Sequence, residues 1–134
     1  MAVPSEMEVQ EVVVRLCRLA VDFYAGSKSM FQLLTESGVD RCPAALSVAY
    51  LSPYIAAHPE VIEGWLHHSQ KPYTNTWHFE RKKGGFVVRF APDGERFEIA
   101  DPALACAEFL VREVKSLLAA SRNRLRPLIP EDRL

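Results

Sequence analysis

The sequence predicts an α+β domain: a group of N-terminal helices, a three-stranded antiparallel meander, and a C-terminal helix packed on the sheet. Two observations predict it. Apolar residues recur with a helical period from Val9 to Leu66 and again from Leu104 to Leu118. Between these stretches, from Trp77 to Ile99, the period falls to two, and turn residues mark both reversals. At 134 residues the chain fits one domain and can bury a core without metals or disulfides. The domain is expected over 1–121. Residues 122–134 carry four arginines and two prolines and are expected to form a loosely packed or mobile tail.

The first helix is expected over 6–25. Ser5 and Glu8 form a capping box, Val9, Val12, Val13, Leu16, Leu19, Ala20 and Phe23 share a face, and Gly26 stands at the stop position. Ser29 and Gln32 make a second capping box for a short helix that Gly38 ends. Pro43 suits the first turn of a third helix over about 43–51. Ser52-Pro53 is expected to break that helix, with a turn or 3₁₀ piece running to Ala57. Pro59 opens a fourth helix over about 59–69, with Val61, Ile62, Trp65 and Leu66 on its buried face.

In the meander, Trp77, Phe79 and Arg81 alternate with His78 and Glu80. After Lys82-Lys83-Gly84-Gly85, Phe86, Val88 and Phe90 alternate with Val87 and Arg89. After Pro92-Asp93-Gly94, Phe97 and Ile99 alternate with Arg96 and Glu98. One aromatic face should therefore be buried. Asp101-Pro102 caps the last helix, whose stripe reads Leu104, Ala107, Leu110, Val111, Val114, Leu117 and Leu118.

Composition narrows the function classes. The net charge is −1. Residues 1–70 carry 4 Lys/Arg against 8 Asp/Glu, and residues 71–134 carry 12 against 9. A weak charge dipole of this kind argues against strong nonspecific nucleic-acid binding. No apolar run reaches the roughly 20 residues a membrane helix needs. The first residues show neither a basic region nor an apolar core, so no signal peptide is expected and a cytoplasmic setting follows. The cysteines, Cys17, Cys42 and Cys106, are odd in number, far apart and without zinc spacing, which suits buried reduced thiols. No cofactor and no metal is expected.

One stretch concentrates chemistry. Between Val61 and Arg81 lie both tryptophans and three of the four histidines. Trp65, His67, His68, Tyr73, Trp77, His78 and Arg81 are the candidate site, and the expected role is contact with a partner protein. Trp, Tyr and Arg are the residue types that dominate binding energy at interfaces. His68 and His78 could also meet at the helix–sheet junction beside Tyr73 and act as an acid–base pair near neutral pH. A third reading is a winged-helix-like DNA binder with Lys82-Lys83-Gly84-Gly85 as the wing tip. Against it, the helix before the hairpin carries Glu60 and Glu63 and no lysine or arginine. Gly26-Ser27-Lys28-Ser29 lacks the spacing and the preceding strand of a phosphate loop, and reads as one helix stop followed by one helix start.

The run His58-Pro-Glu-Val-Ile-Glu-Gly-Trp65-Leu-His-His-Ser-Gln-Lys71, followed by Trp77, resembles small uncharacterised bacterial proteins, some of which resemble immunity proteins of polymorphic-toxin systems. The shared pattern is a helix opened by Pro-Glu and carrying a tryptophan, a turn, and a strand with a second tryptophan. The chain departs from it at Gln70, where an acidic residue belongs. The resemblance implies a cytoplasmic single domain that works by binding a partner protein.

Overall fold

A computed structural model describes residues 4–70 and 76–125, with side chains described as far as Ser121. Helices α1 (Glu6–Cys17), α2 (Leu19–Ala25), α3 (Met30–Glu36), α4 (Val48–Ala57) and α5 (Glu60–His68) precede strands β1 (Thr76–Lys82), β2 (Gly85–Ala91) and β3 (Arg96–Ile99). Helix α6 (Pro102–Leu125) follows, and a 3₁₀ turn, Pro43–Ala45, lies ahead of α4. The architecture is α+β, as the two periods require. The sheet order is β1-β2-β3, antiparallel throughout. Among the described residues no helix is long and apolar enough to cross a membrane.

Helix α6 is the hub. It packs along α4 on one side and touches α5 and all three strands on the other. The register pairs Trp77 with Phe90, Phe79 with Val88, Arg81 with Phe86, and Val88 with Phe97, so these side chains share one face of the sheet. Phe109 of α6 stacks on Phe79 at 5.3 Å between centroids and meets the Trp65 ring at 5.8 Å. Phe79 in turn stacks on Phe86 at 5.4 Å. An aromatic column thus ties α5, α6, β1 and β2 together. Arg112 closes the solvent end of that face, its guanidinium 4.4 Å from the Phe97 ring and 5.5 Å from Trp77. The opposite sheet face is laced by ion pairs, Glu80 to Arg89 and Lys82 to Glu98.

The local signals explain most boundaries. Ser5 accepts from the Glu8 N–H, Ser29 from that of Gln32, and Asp101 from that of Leu104. Gly38 takes a positive φ of 85° just past α3. In the β1–β2 turn, a Cβ on Gly85 would come within 2.8 Å of the Ile99 carbonyl oxygen, so only glycine fits.

Several expectations need correction. The helix over 6–25 is two helices with a break at Arg18 (φ −93°, ψ 3°), beside which a side chain from α5 bonds the Cys17 carbonyl, as described below. Gly26 stops α2 in extended backbone (φ −127°, ψ −168°) and not in the left-handed region. The third helix starts later and runs through Pro53. Ser47, and not Pro43, provides its cap by accepting from the Tyr50 N–H. Pro53 gives no N–H to the Ala49 carbonyl, yet both residues are exposed, so the missing hydrogen bond does not fall in the apolar core. The α6 stripe is broader than expected, because the helix is covered on two sides. Ala103, Ala105, Cys106 and Phe109 are buried, whereas Leu104 is 37% exposed. Finally, α6 continues to Leu125, into the segment assigned to a tail. The rest of that segment lies outside the described residues.

Candidate functional site

The site forms where α2, α5 and α6 converge. Its floor is Trp65, which is wholly buried and whose Nε1 donates to the Cys17 carbonyl at 2.9 Å. Gly64 allows the approach: a Cβ there would lie 2.9 Å from Val21 Cγ2 of α2. The close crossing brings Phe23 and Tyr24, in the last turn of α2, against His67 and His68, in the last turn of α5.

His68 is the centre. Its ring meets Trp65 and Phe23 edge-on, at 5.5 and 6.0 Å between centroids. Its Nδ1 lies 3.5 Å from the Tyr24 hydroxyl, and its Nε2 lies 3.6 Å from Oε2 of Glu113 on α6. The His68 side chain is 14% exposed and that of Glu113 is 4% exposed. If the Tyr24 hydroxyl donates to Nδ1, the imidazole carries its proton on Nε2 and turns it toward the carboxylate. A phenol, an imidazole and a carboxylate therefore lie in line from surface to interior. At the surface end, Tyr24 is 52% exposed, and its ring contacts the exposed His67 ring at 4.8 Å.

Of the candidate residues named from sequence, His67 and His68 meet at this corner. Trp65 supports it from below and offers no surface. Its place in the core corrects the expectation that it touches a partner. Trp77 is half-buried on the aromatic sheet face beside Arg112 and Phe90. His78 is buried on the other sheet face, in register with Arg89. Strand alternation thus turns His78 away from α6, while His68 faces it, and the expected histidine pair gives way to His68 with Glu113 and Tyr24. Arg81 is exposed but salt-bridged to Glu63 of α5. Tyr73 lies outside the described residues.

Sequence reasoning missed Tyr24 and Glu113. The Glu113 signal was present, since a carboxylate between Leu110, Val114 and Leu117 interrupts an otherwise apolar helix face. Tyr24 carried no such mark, because it follows Phe23 at the end of an ordinary amphipathic helix.

The thiols are not part of this site. All three cysteines are free and buried. Burial pushes the Cys17 thiol up to about 12 and raises that of Cys106 as well, so neither is a nucleophile at neutral pH. Among the described residues no cluster of three or more His, Cys, Asp or Glu could hold a metal ion. No protein-family model, curated protein or solved structure matches the chain.

Proposed function

We propose that the chain is a small non-enzymatic bacterial protein that binds a partner protein, of immunity or accessory type, with Tyr24, His67 and His68 at the middle of the contact surface. The observation that carries this reading is the half-exposed Tyr24 ring held against His67 over a rigid aromatic floor. A tyrosine fixed in place before binding loses little conformational freedom on contact, which is how interface anchors gain affinity. Arg81 and Glu63 extend the surface along α5 with an exposed ion pair of the kind found at interface rims. The resemblance to immunity proteins points the same way.

The test is retention of a partner from bacterial lysate by the tagged chain at moderate salt, with Tyr24→Ala and His67→Ala baits in parallel. A stoichiometric protein partner, held by the parent chain and reduced at least tenfold by either variant at unchanged thermal stability, is the expected result. Equal retention by all three baits, or recovery of nucleic acid alone, overturns the reading.

A second reading, proton transfer on a small molecule, rests on the line of Tyr24, His68 and Glu113. Under it, His68→Asn abolishes turnover without lowering stability. The DNA-binding reading draws no support from the hairpin, where Lys82, Arg89 and Arg96 each have an acidic partner.

A further inference from the structure

The two edges of the sheet are finished differently. Strand β1 turns the backbone of Phe79 outward, and the Ser69 hydroxyl bonds both its N–H and its carbonyl. The other edge is β3. Its outward groups follow from the register. The Phe90 N–H donates to the Glu95 carbonyl, so Phe90, Val88 and Phe86 direct their backbone groups at β3, where Phe97 and Ile99 meet the last two. Alternation then points the N–H and C=O of Arg96 and Glu98 away from the sheet. Among the described residues no hydrogen bond from outside the sheet reaches these groups. Arg96 and Glu98 are exposed, and Phe97 and Ile99 are only half-buried at this edge.

Short, charged edge strands usually resist pairing. The charges of β3 resist some registers and favour another. An antiparallel copy of β3 centred on Arg96 opposes two arginines, and one centred on Glu98 opposes two glutamates. Centred on Phe97, the copy sets Arg96 of each strand opposite Glu98 of the other. Both of these are then hydrogen-bonded pairs that exchange their outward N–H and C=O groups, and the two Phe97 side chains form the close pair between them. The side chains suit this register. Arg96 meets its own Glu98 through one nitrogen at 3.6 Å, too far for a hydrogen bond, so its guanidinium is open to a better acceptor. Glu98 gives one oxygen to Lys82 at 2.7 Å and turns the other toward Arg96. Glu95 falls opposite Ile99 and meets no like charge, while Asp93 and Asp101 lie outside the strand.

We infer that β3 is a self-association edge, on which a second copy of this chain pairs antiparallel about Phe97 and joins the two sheets into one. The arrangement closes on itself, because each copy spends its β3 edge and leaves the Ser69-bonded β1 edges at the two ends. A four-residue strand makes a contact below the standard interface size, so the dimer is weak, with a dissociation constant on the order of 100 μM. The inference is independent of the Tyr24 corner, which is built by α2, α5 and α6.

The test uses the full chain, by sedimentation from about 10 μM to about 1 mM and by amide hydrogen exchange at both ends of that range. The parent chain is expected to dimerise. Exchange is expected to slow with concentration at the Arg96 and Glu98 amides, and less at Phe97 and Ile99, whose N–H groups already face β2. Arg96→Glu and Glu98→Arg, both at exposed positions, are each expected to weaken self-association at least tenfold with little change in thermal unfolding, whereas Tyr24→Ala leaves it unchanged. Mixed in equal amounts, the two reversed chains are expected to pair with each other, because opposite charges again meet at both positions. A monomer throughout, a dimer indifferent to either reversal, no rescue in the mixture, or concentration-dependent protection confined to another element each overturns the inference. The last outcome would place the self-contact elsewhere on the molecule.

Discussion

The indole of Trp65 hydrogen-bonds the backbone carbonyl of Cys17, 48 residues earlier in the chain, at 2.9 Å. In an unbroken helix that carbonyl would accept from the N–H of Val21. The backbone bends at Arg18 instead, α1 ends at Cys17, and α2 begins at Leu19. One side chain from α5 thus takes the acceptor that the helix gives up, at a point with no exposure to water. Trp65→Phe keeps most of the apolar volume and removes the donor. The Cys17 carbonyl is then buried without a partner, which costs about 1–3 kcal/mol. Urea unfolding followed by Trp77 fluorescence measures the loss. A change below about 0.5 kcal/mol, within the range of neutral surface substitutions, would mean the bond does not hold the break.

The crossing of α2 and α5 gives a second prediction. A methyl group at position 64 meets Val21 Cγ2 at 2.9 Å, and a valine side chain bound into a helix has no far end to swing aside. Gly64→Ala gains up to about 1 kcal/mol of helix propensity and loses about 1–3 kcal/mol to overpacking. The net expectation is destabilisation by about 1 kcal/mol, with perturbed Tyr24 and His67 resonances because the corner is prised open. A more stable variant with an unperturbed corner would show that the helices separate freely.

How much of this could be read from sequence depends on whether a feature is local. The caps at Ser5, Ser29 and Asp101, the period-two strands and the buried face of α5 are local, and all were legible, whereas the Ser47 cap was passed over for Pro43. The break at Arg18 was not, because the side chain bonded beside it, Trp65, comes from α5, and nothing within α1 or α2 announces it. Pro53 misled for the opposite reason: the local rule weighs most in a buried helix interior, whereas Ala49 and Pro53 are both exposed. At the site, His67 and His68 stood out by residue type. Their partners Tyr24 and Glu113 come from other helices, and only the fold brings them together.

Ser69, one residue past α5, is buried and closes the edge of the sheet. Its Oγ accepts from the Phe79 N–H at 2.6 Å and donates to the Phe79 carbonyl at 3.0 Å. A single hydroxyl thus satisfies both outward backbone groups of an edge-strand residue and ties the end of α5 to β1. Ser69→Ala leaves two buried backbone groups without that partner and should lower stability by about 1–3 kcal/mol. Hydrogen exchange at the Phe79 amide is the sensitive readout and should accelerate more than its β2 neighbours. Uniform acceleration across the sheet would mean that Ser69 stabilises only globally and does not seal this edge.

Glu80 and Arg89 join β1 to β2 across the polar sheet face at 2.7 Å. The hydrogen bond from Arg89 holds the Glu80 carboxyl below its ordinary value, against an opposing effect of partial burial. A carboxylate whose folded value is lowered binds fewer protons when folded than when unfolded. Its stabilisation is therefore complete above the unfolded value and is lost as pH falls through the folded one. Both side chains are substantially exposed, 47% for Glu80 and 31% for Arg89, so solvent screening limits the effect to about 1 kcal/mol or less. Glu80→Gln should destabilise the chain by that amount at pH 7, and the deficit should shrink as the solution is acidified through the carboxylate range. Added salt should shrink it too. A deficit that stays constant with pH would come from the altered packing of the glutamine and not from charge, and would remove this pair from the forces that fix the strand register.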